Sequence, residues 1–598
     1  MPAVIKLVVT IFAVLFPALL IGSPITRRIP DQQWLQVRGK VTKEDFADLF
    51  KKVAAGNADE LTVRRCIYAF DKLLWENSGY VKESKWLPQP EVIHDAKLEL
   101  KVPDRIRNAP QVVVGRDHPL QVLEDPLVTM RLMYDCRVDA SLPVSQLAKR
   151  PAADGYPGII AAGVKTVTRT LNLNLGSYQD IISTGLFAPA GKIVTVTVPE
   201  ELVAKHYVIQ IGHLKQGTPV AKFKTILRAP NLIRKYKISA TKTQVASAYG
   251  GIIYLLPKPS KNLDVYYNEY VNSDGTYLTD EAAPFEDHII PVTMEGVVQA
   301  PLYLTDRHKP SQLKEILSYP APTAEIGNER MIITLSSEDL RKHSDIDLAI
   351  AVYSDMCDFQ GELTGRPVPP PHAYRIVVEP DVAVGGAYAG QPLILNEGWL
   401  KYFYASSPTG GGISHEIGHQ HQKWAWTYQN GTELTVNIMA RYSLEMLRAK
   451  YGEDLIPMHP EHTAVALNAK IRRYLGRSLK KRNWEQNPYR NRDLNAFYMI
   501  LEKEFGWGLF KKVFRHYRAI PMDQWPGGAG KVTGAKKLAI ERQRAGYFMV
   551  LCSNAAGKNL HPFFENWGVQ MAPGYKGKVS HLPDWDFSKW LPSEEGSQ

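Results

Sequence analysis

The chain has 598 residues, too many for one domain, and about two to four domains of ordinary size are expected. With 44% hydrophobic and 22% charged residues and no long low-complexity tract it lies outside the disordered and fibrous classes, and four cysteines are too few for a disulfide scaffold. A net charge of +11 favours anionic partners such as sialylated or sulfated glycans, acidic proteins or a membrane surface, while no nucleic-acid motif accompanies it.

In chain order, residues 1–22 hold Lys6 and then an apolar run from Leu7 to Ile21 with Pro17 inside it, followed by small and basic residues. That is the pattern of a secretory signal peptide, with an uncleaved N-terminal anchor as the alternative. No later stretch is apolar for long enough to cross a bilayer, so the mature chain is expected in the medium, the periplasm or at the cell surface, with no stable membrane span. Residues 23–155 read as a helical region and linker, the helices having a capping-box-like start at Thr42 and Asp45. Residues 156–285 change to short alternating segments, such as Val194, Val196 and Val198 separated by Thr195 and Thr197, and read as a β-sandwich. From 286 strands and helices mix across a stiff proline connector, Arg366 to Tyr374, and from 413 helices dominate. Leu494, Phe497, Tyr498, Leu501 and Phe505 line one face of such a helix. A domain over 286–575 and a tail over 576–598 complete the division.

Cys66, Cys136, Cys357 and Cys552 are too far apart for a CxxC metal knuckle; in an exported chain they permit disulfides, and none reads as catalytic. The basic stretch Lys470 to Trp484 reads as a solvated face or a binding patch.

The chemistry concentrates between Gly410 and Ala440, where His415 and His419 are four residues apart. On a helix that spacing puts both imidazoles on one face, able to serve one ion, with Glu416 beside that face to take a proton from water. This H-E-x-x-H pattern marks metalloproteases. A catalytic zinc needs a third ligand, and the metzincin continuation fails because Gln422 and Ala425 stand where glycine and histidine would. The other solution is a glutamate from the next helix: Asn430-Gly431 signals a turn, and Thr432 starts an apolar-periodic helix carrying Glu433 in its first turn. Glu433 is the best third ligand, with a helix-capping role as its alternative and Glu445 as its competitor. His421 points away from the ligand face, and Trp424 and Trp426 read as core or cleft wall. The glycosylation sequon at Asn430 is incidental. Tyr428, Tyr442 and His372 are candidates for the oxyanion donor, and Tyr428 also for contact with substrate.

The stretch GGGISHEIGHQHQ followed by GTELTVNI resembles the enhancin-like metallopeptidases, peptidase family M-sixty, which include baculovirus enhancins and mucin-degrading proteases of gut bacteria. Ser183 to Pro199, Gly250 to Pro257, Gly385 to Leu395 and Cys552 to Val569 extend the resemblance over roughly residues 160 to 570. It implies an α+β multidomain chain, a β-sandwich followed by a zincin-like (gluzincin) metallopeptidase domain with a mainly helical C-terminal half. It also implies one Zn²⁺ on His415, His419 and Glu433, Glu416 as general base and later proton donor, and peptide bonds of glycoproteins, often O-glycosylated mucins, as substrate. By analogy with zincins, Gly386, Ala387, Tyr388, Ala389 and Gly390 would lie on an edge strand that pairs with substrate backbone, an ordinary buried strand being the alternative. The resulting expectation is a secreted zinc endopeptidase. The alternative is a secreted glycan-binding or adhesion protein with a vestigial protease domain. No feature specifies an oligomer.

Overall fold

The structure, a computed structural model, describes residues 29–75, 101–175, 181–205, 207–214, 219–257, 263–264, 269–270, 272–277, 288–343, 345–368, 370, 373–381, 387–390, 392–400, 411–429, 431–485 and 492–592. The signal-like segment lies outside these residues. Helix α1 (Asp31–Arg38) precedes α2 (Phe46–Ala54) and α3 (Glu60–Trp75), which form where the apolar spacing predicts, and α4 (Pro126–Asp139) packs on α3. Part of the expected linker is thus helical and buried. This layer is not free-standing: its apolar core continues into Phe223, Ile226 and Tyr249 of the β-domain and Val377 and Ile394 of the next domain.

The β-domain comprises β1 (Val167–Asn174), β2 (Ile182–Ala188), β3 (Val194–Thr197), β4 (Val208–Ile211), β5 (Arg234–Lys237), β6 (Lys242–Val245), β7 (Gly251–Leu256) and β8 (Ile289–Gln299), in the order β5-β4-β7-β2-β8-β3-β6 with β1 also paired to β8. The long β8 joins the two halves. Its first residues pair with β1 and β3, a bulge follows at Gly296, where φ is 82°, and Val298 and Gln299 then pair with β2. The halves close over one core, to which the alternating Val194 and Val196 contribute with Leu186, Ile209, Leu255, Val292 and Met294. The sandwich therefore runs to 299 rather than ending at 285, because the alternation Ile290, Val292, Met294 belongs to its central strand.

The next domain opens with a mixed sheet of β9 (Leu302–Leu304), β10 (Thr323–Gly327), β11 (Met331–Ser336), β12 (Tyr374–Glu379), β13 (Ala387–Tyr388) and β14 (Leu393–Asn396), in the order β9-β10-β11-β12-β14-β13. Helices α5 (Ile346–Thr364), α6 (Gly411–His421) and α7 (Thr432–Tyr451) cover it, with Ile333, Ile376, Tyr353, Ile413, Ile417 and Leu444 in one core. Among the described residues of the stretch from Gly385 to Leu395 there are two strands rather than one, the edge strand β13 pairing antiparallel with the inner strand β14. Gly386 lies outside the described residues.

The C-terminal half is helical, with α8 (Ala464–Leu475), α9 (Asn495–Phe505), α10 (Trp507–Ala519) and α11 (Lys537–Ala556) around an aromatic core of Trp426, Trp484, Phe497, Phe514, Phe563 and Trp567. The expected tail belongs to this core: Val579 and Trp585 are buried in it, and Asn559 Nδ2 donates to Asp584 at 2.8 Å. The basic stretch spends much of its charge internally, Lys470 on Glu461, Arg473 on Asp493 and Arg482 on the Asn566 carbonyl. All four cysteines are free and buried, and burial pushes the thiols of Cys66 and Cys136 up to about 12. No helix among the described residues is long and apolar enough to cross a membrane.

Candidate metal centre

His415 and His419 share one face of α6, their rings 4.7 Å apart and nearly perpendicular. A side chain at Gly418 would meet Val436 Cγ2 at 2.9 Å and the Val436 carbonyl at 3.1 Å, so only glycine lets α7 come this close to α6. That approach delivers Glu433, in the first turn of α7: its Oε2 is 3.2 Å from His415 Nε2 and its Oε1 3.9 Å from His419 Nε2. The three donor atoms all lie within 4.8 Å of one another, the one such group of His, Cys, Asp or Glu among the described residues. Donors about 2.0–2.2 Å from a tetrahedral zinc stand about 3.3–3.6 Å from each other, a spacing that lies between the 3.2 Å of Glu433 to His415 and the 3.9 Å of Glu433 to His419. The donor types fit too, two imidazole nitrogens and one carboxylate oxygen leaving a fourth position open. Glu445 takes no part: it accepts from Trp507 Nε1 at 3.2 Å.

The helices that carry these donors are tied down by buried polar contacts. Gln360 of α5 donates to the Ser414 carbonyl at 2.9 Å and to Ser443 Oγ at 3.1 Å, and Ser414 and Ser443 hydroxyls lie 2.9 Å apart, joining α5, α6 and α7. His421 is buried between Thr364 Oγ1 at 3.1 Å and the Tyr374 hydroxyl at 2.9 Å, the packing role its position on the helix predicts. The outer nitrogens of the ligand pair meet amides, His415 Nδ1 at 2.9 Å from Asn437 Oδ1 and His419 Nδ1 at 2.6 Å from Gln422 Oε1. No motif in the sequence marks either amide. Gln422 showed there only as a departure from the metzincin pattern, whereas Asn437, one turn after Glu433, was open to an i+4 argument.

Electrostatics separate the two imidazoles. Burial holds His419 down to about 4 and keeps it neutral, as a metal ligand must be. Burial also opposes charge on His415, but hydrogen bonds with Glu433 and Asn437 and the nearby Glu416 carboxylate outweigh it and raise its pKa. A cation between His415 and Glu433 is favoured by this field. Glu416 is half-buried on α6, adjacent to His415 in the chain.

The oxyanion and substrate candidates fare unevenly. Tyr428 is 1% exposed, stacked on Trp484 and packed on Phe548, with its hydroxyl 3.5 Å from that of Tyr498. It is a core residue, not a cleft residue, because the Trp424–Trp426 turn buries Trp426 against Phe514 and Tyr517 and carries the following residues inward. Tyr442 is likewise buried, edge-on to Trp507, and His372 lies outside the described residues. Ala387, Tyr388, Ala389 and Gly390 do lie at or beside the sheet edge, and Gln420 Nε2, between the two α6 histidines 419 and 421, donates to the Gly390 carbonyl at 2.7 Å.

The fold and this donor set define the class, a domain of the metallopeptidase type behind a β-rich domain. Residues 296–568 match the model described as "Peptidase M60, enhancin and enhancin-like", and residues 163–265 match that for the N-terminal domain of M60-like peptidases. The chain belongs to the enhancin-like M60 family of metallopeptidases. Among curated proteins it is 26% identical over 432 residues to a TRPM8 channel-associated factor homolog of Danio rerio, covering 69% of this chain and 41% of that one. It is 24% identical over 428 residues to human TRPM8 channel-associated factor 2, covering 69% and 40%. It spans about two fifths of the length of these relatives. Among solved structures, IMPa from Pseudomonas aeruginosa in complex with an O-glycopeptide has the same fold, with a TM-score of 0.56 at 16% identity over 88% of this chain and 62% of that one. A functionally unknown protein of Bacillus anthracis matches with a TM-score of 0.52 at 16% identity, over 72% and 82%.

Proposed function

We propose that this chain is a zinc-dependent endopeptidase that cleaves O-glycosylated, mucin-type glycoproteins outside the cytoplasm. The observation that carries the reading is the convergence of His415, His419 and Glu433 beside Glu416. The family supports it, since one solved protein of the same fold was captured with an O-glycopeptide. When bound, zinc supplies a Lewis acid for the scissile carbonyl and lowers the pKa of water to about 7. Glu416 takes the proton from the attacking water and returns it to the leaving amine. The sheet edge at Ala387–Tyr388 offers backbone groups to an extended peptide, and Gln420 keeps the end of that edge against the metal helix.

A second reading is a secreted glycan-binding or adhesion protein with a vestigial protease domain; the curated relatives, named as channel-associated factors, are named for an association rather than for peptidase activity. Incubation of the purified chain with an O-glycosylated mucin, with and without chelator, separates the two. Chelator-sensitive cleavage supports the peptidase, and retention of mucin without cleavage supports the binding protein.

A further inference from the structure

The amides behind the two ligand histidines are themselves held, and the way they are held fixes which atom faces the ring. Asn437 Nδ2 donates to the Glu433 carbonyl at 2.8 Å and to Asn495 Oδ1 at 3.2 Å. Gln422 Nε2 donates to the Thr432 carbonyl at 2.7 Å and to Thr435 Oγ1 at 2.6 Å. A backbone carbonyl can only accept, so each NH₂ group is committed away from the ring and each amide oxygen is left facing it. An amide oxygen also can only accept, so His415 Nδ1, 2.9 Å from Asn437 Oδ1, and His419 Nδ1, 2.6 Å from Gln422 Oε1, both carry hydrogen. In neutral rings the lone pairs then sit on both Nε2 atoms, on the side of Glu433.

We infer that Asn437 and Gln422 are positioning residues that set the metal-binding tautomer of His415 and His419, and that they do so without adding charge to the site. The inference rests on the metal reading above and names two residues that determine affinity. In this tautomer His415 Nε2 and Glu433 Oε2 are two acceptors 3.2 Å apart, a contact that a proton on Nε2 or a metal ion between them makes favourable. A ligand histidine is often backed by a carboxylate, which raises its basicity. Here the partner is an amide, so the orientation is imposed while Glu433 supplies the one ligand carboxylate among the described residues. The two amides come from different places, Asn437 from α7 and Gln422 from the connection after α6. Each can therefore be tested without the other.

The test is zinc affinity of the full chain by competition with a chromophoric chelator, with the melting temperature of the metal-free protein recorded alongside. Asn437→Leu and Gln422→Leu are each expected to weaken zinc binding about 10–100-fold. Asn437→Asp and Gln422→Glu, which keep the acceptor toward the ring but lose the N–H given to the Glu433 and Thr432 carbonyls, are each expected to bind zinc more tightly than the Leu variant at the same site. Undiminished affinity in both Leu variants, or equal loss in the Leu and acidic variants at one site, overturns the inference, since a purely packing role does not distinguish Asp from Leu in this direction. If Asn437→Leu does not fold, the Gln422 pair decides. A wild-type chain that binds no zinc overturns the metal reading itself, a different result from either outcome above.

Discussion

His415 with His419 and His459 with His462 hold their rings at nearly the same separation, 4.7 and 4.9 Å, yet only the first pair converges on a carboxylate. At the second pair His459 Nδ1 is spent on the Glu461 N–H at 3.2 Å, and the Glu461 carboxylate is taken by Lys470. Burial first, and then Arg441, His459, Lys470 and Arg448, hold His462 down to about 2. At the first pair the outer nitrogens face amide oxygens, and Glu433 and Glu416 make the field favourable to a cation. Proximity of imidazoles is common in a folded chain. What makes a metal centre is the surroundings: an acceptor behind each ring, a carboxylate in front, and few competing cations.

The largest expected effect that sharpens this contrast is on turnover. Glu416→Ala should retain zinc and lower kcat/KM on an O-glycosylated peptide by about 10²–10⁴-fold. Next, His415→Ala should reduce zinc binding by more than the about 10–100-fold of an outer partner, while His459→Ala should leave zinc stoichiometry unchanged. Loss of zinc in the His459 variant would break the comparison. Third, Gly418→Ala would in an open helix stabilise by about 1 kcal/mol. Against Val436 it should instead cost about 1–3 kcal/mol in denaturant unfolding and weaken zinc binding, because α6 and α7 are pushed apart. The smallest effect concerns acid stability. The folded pKa of His462, about 2, lies below the ordinary value of 6.5, so its contribution is fully present above pH 6.5 and is lost as pH falls toward 2. His462→Gln should therefore shrink the fall in melting temperature between pH 7 and pH 5 by on the order of 1–2 °C.

The parts of the site legible in sequence are those set by local geometry. The four-residue spacing of His415 and His419 and the turn before Glu433 are helix and turn chemistry, and they survive in the fold as read. The β-domain and the helical C-terminal half follow from alternation and apolar spacing in the same way. What was not legible depends on contacts between distant segments. Tyr428 sits two residues past Trp426, and only Phe514 and Tyr517, far along the chain, decide that this turn is driven inward. Gln422 matters because the connection after α6 folds back over Thr432 and Thr435. The extent of the sandwich depends on β8 pairing with β1, β2 and β3, and the apparent tail is core because Trp585 meets Phe505 and Phe563.

The central claim is most directly tested by mass-spectrometric mapping of fragments released from one O-glycosylated mucin by the zinc-loaded wild type and by zinc-loaded Glu416→Ala. The account predicts discrete, chelator-sensitive cleavages with the wild type and an intact substrate with the variant. An intact mucin under both, or the same fragments from both, would contradict it.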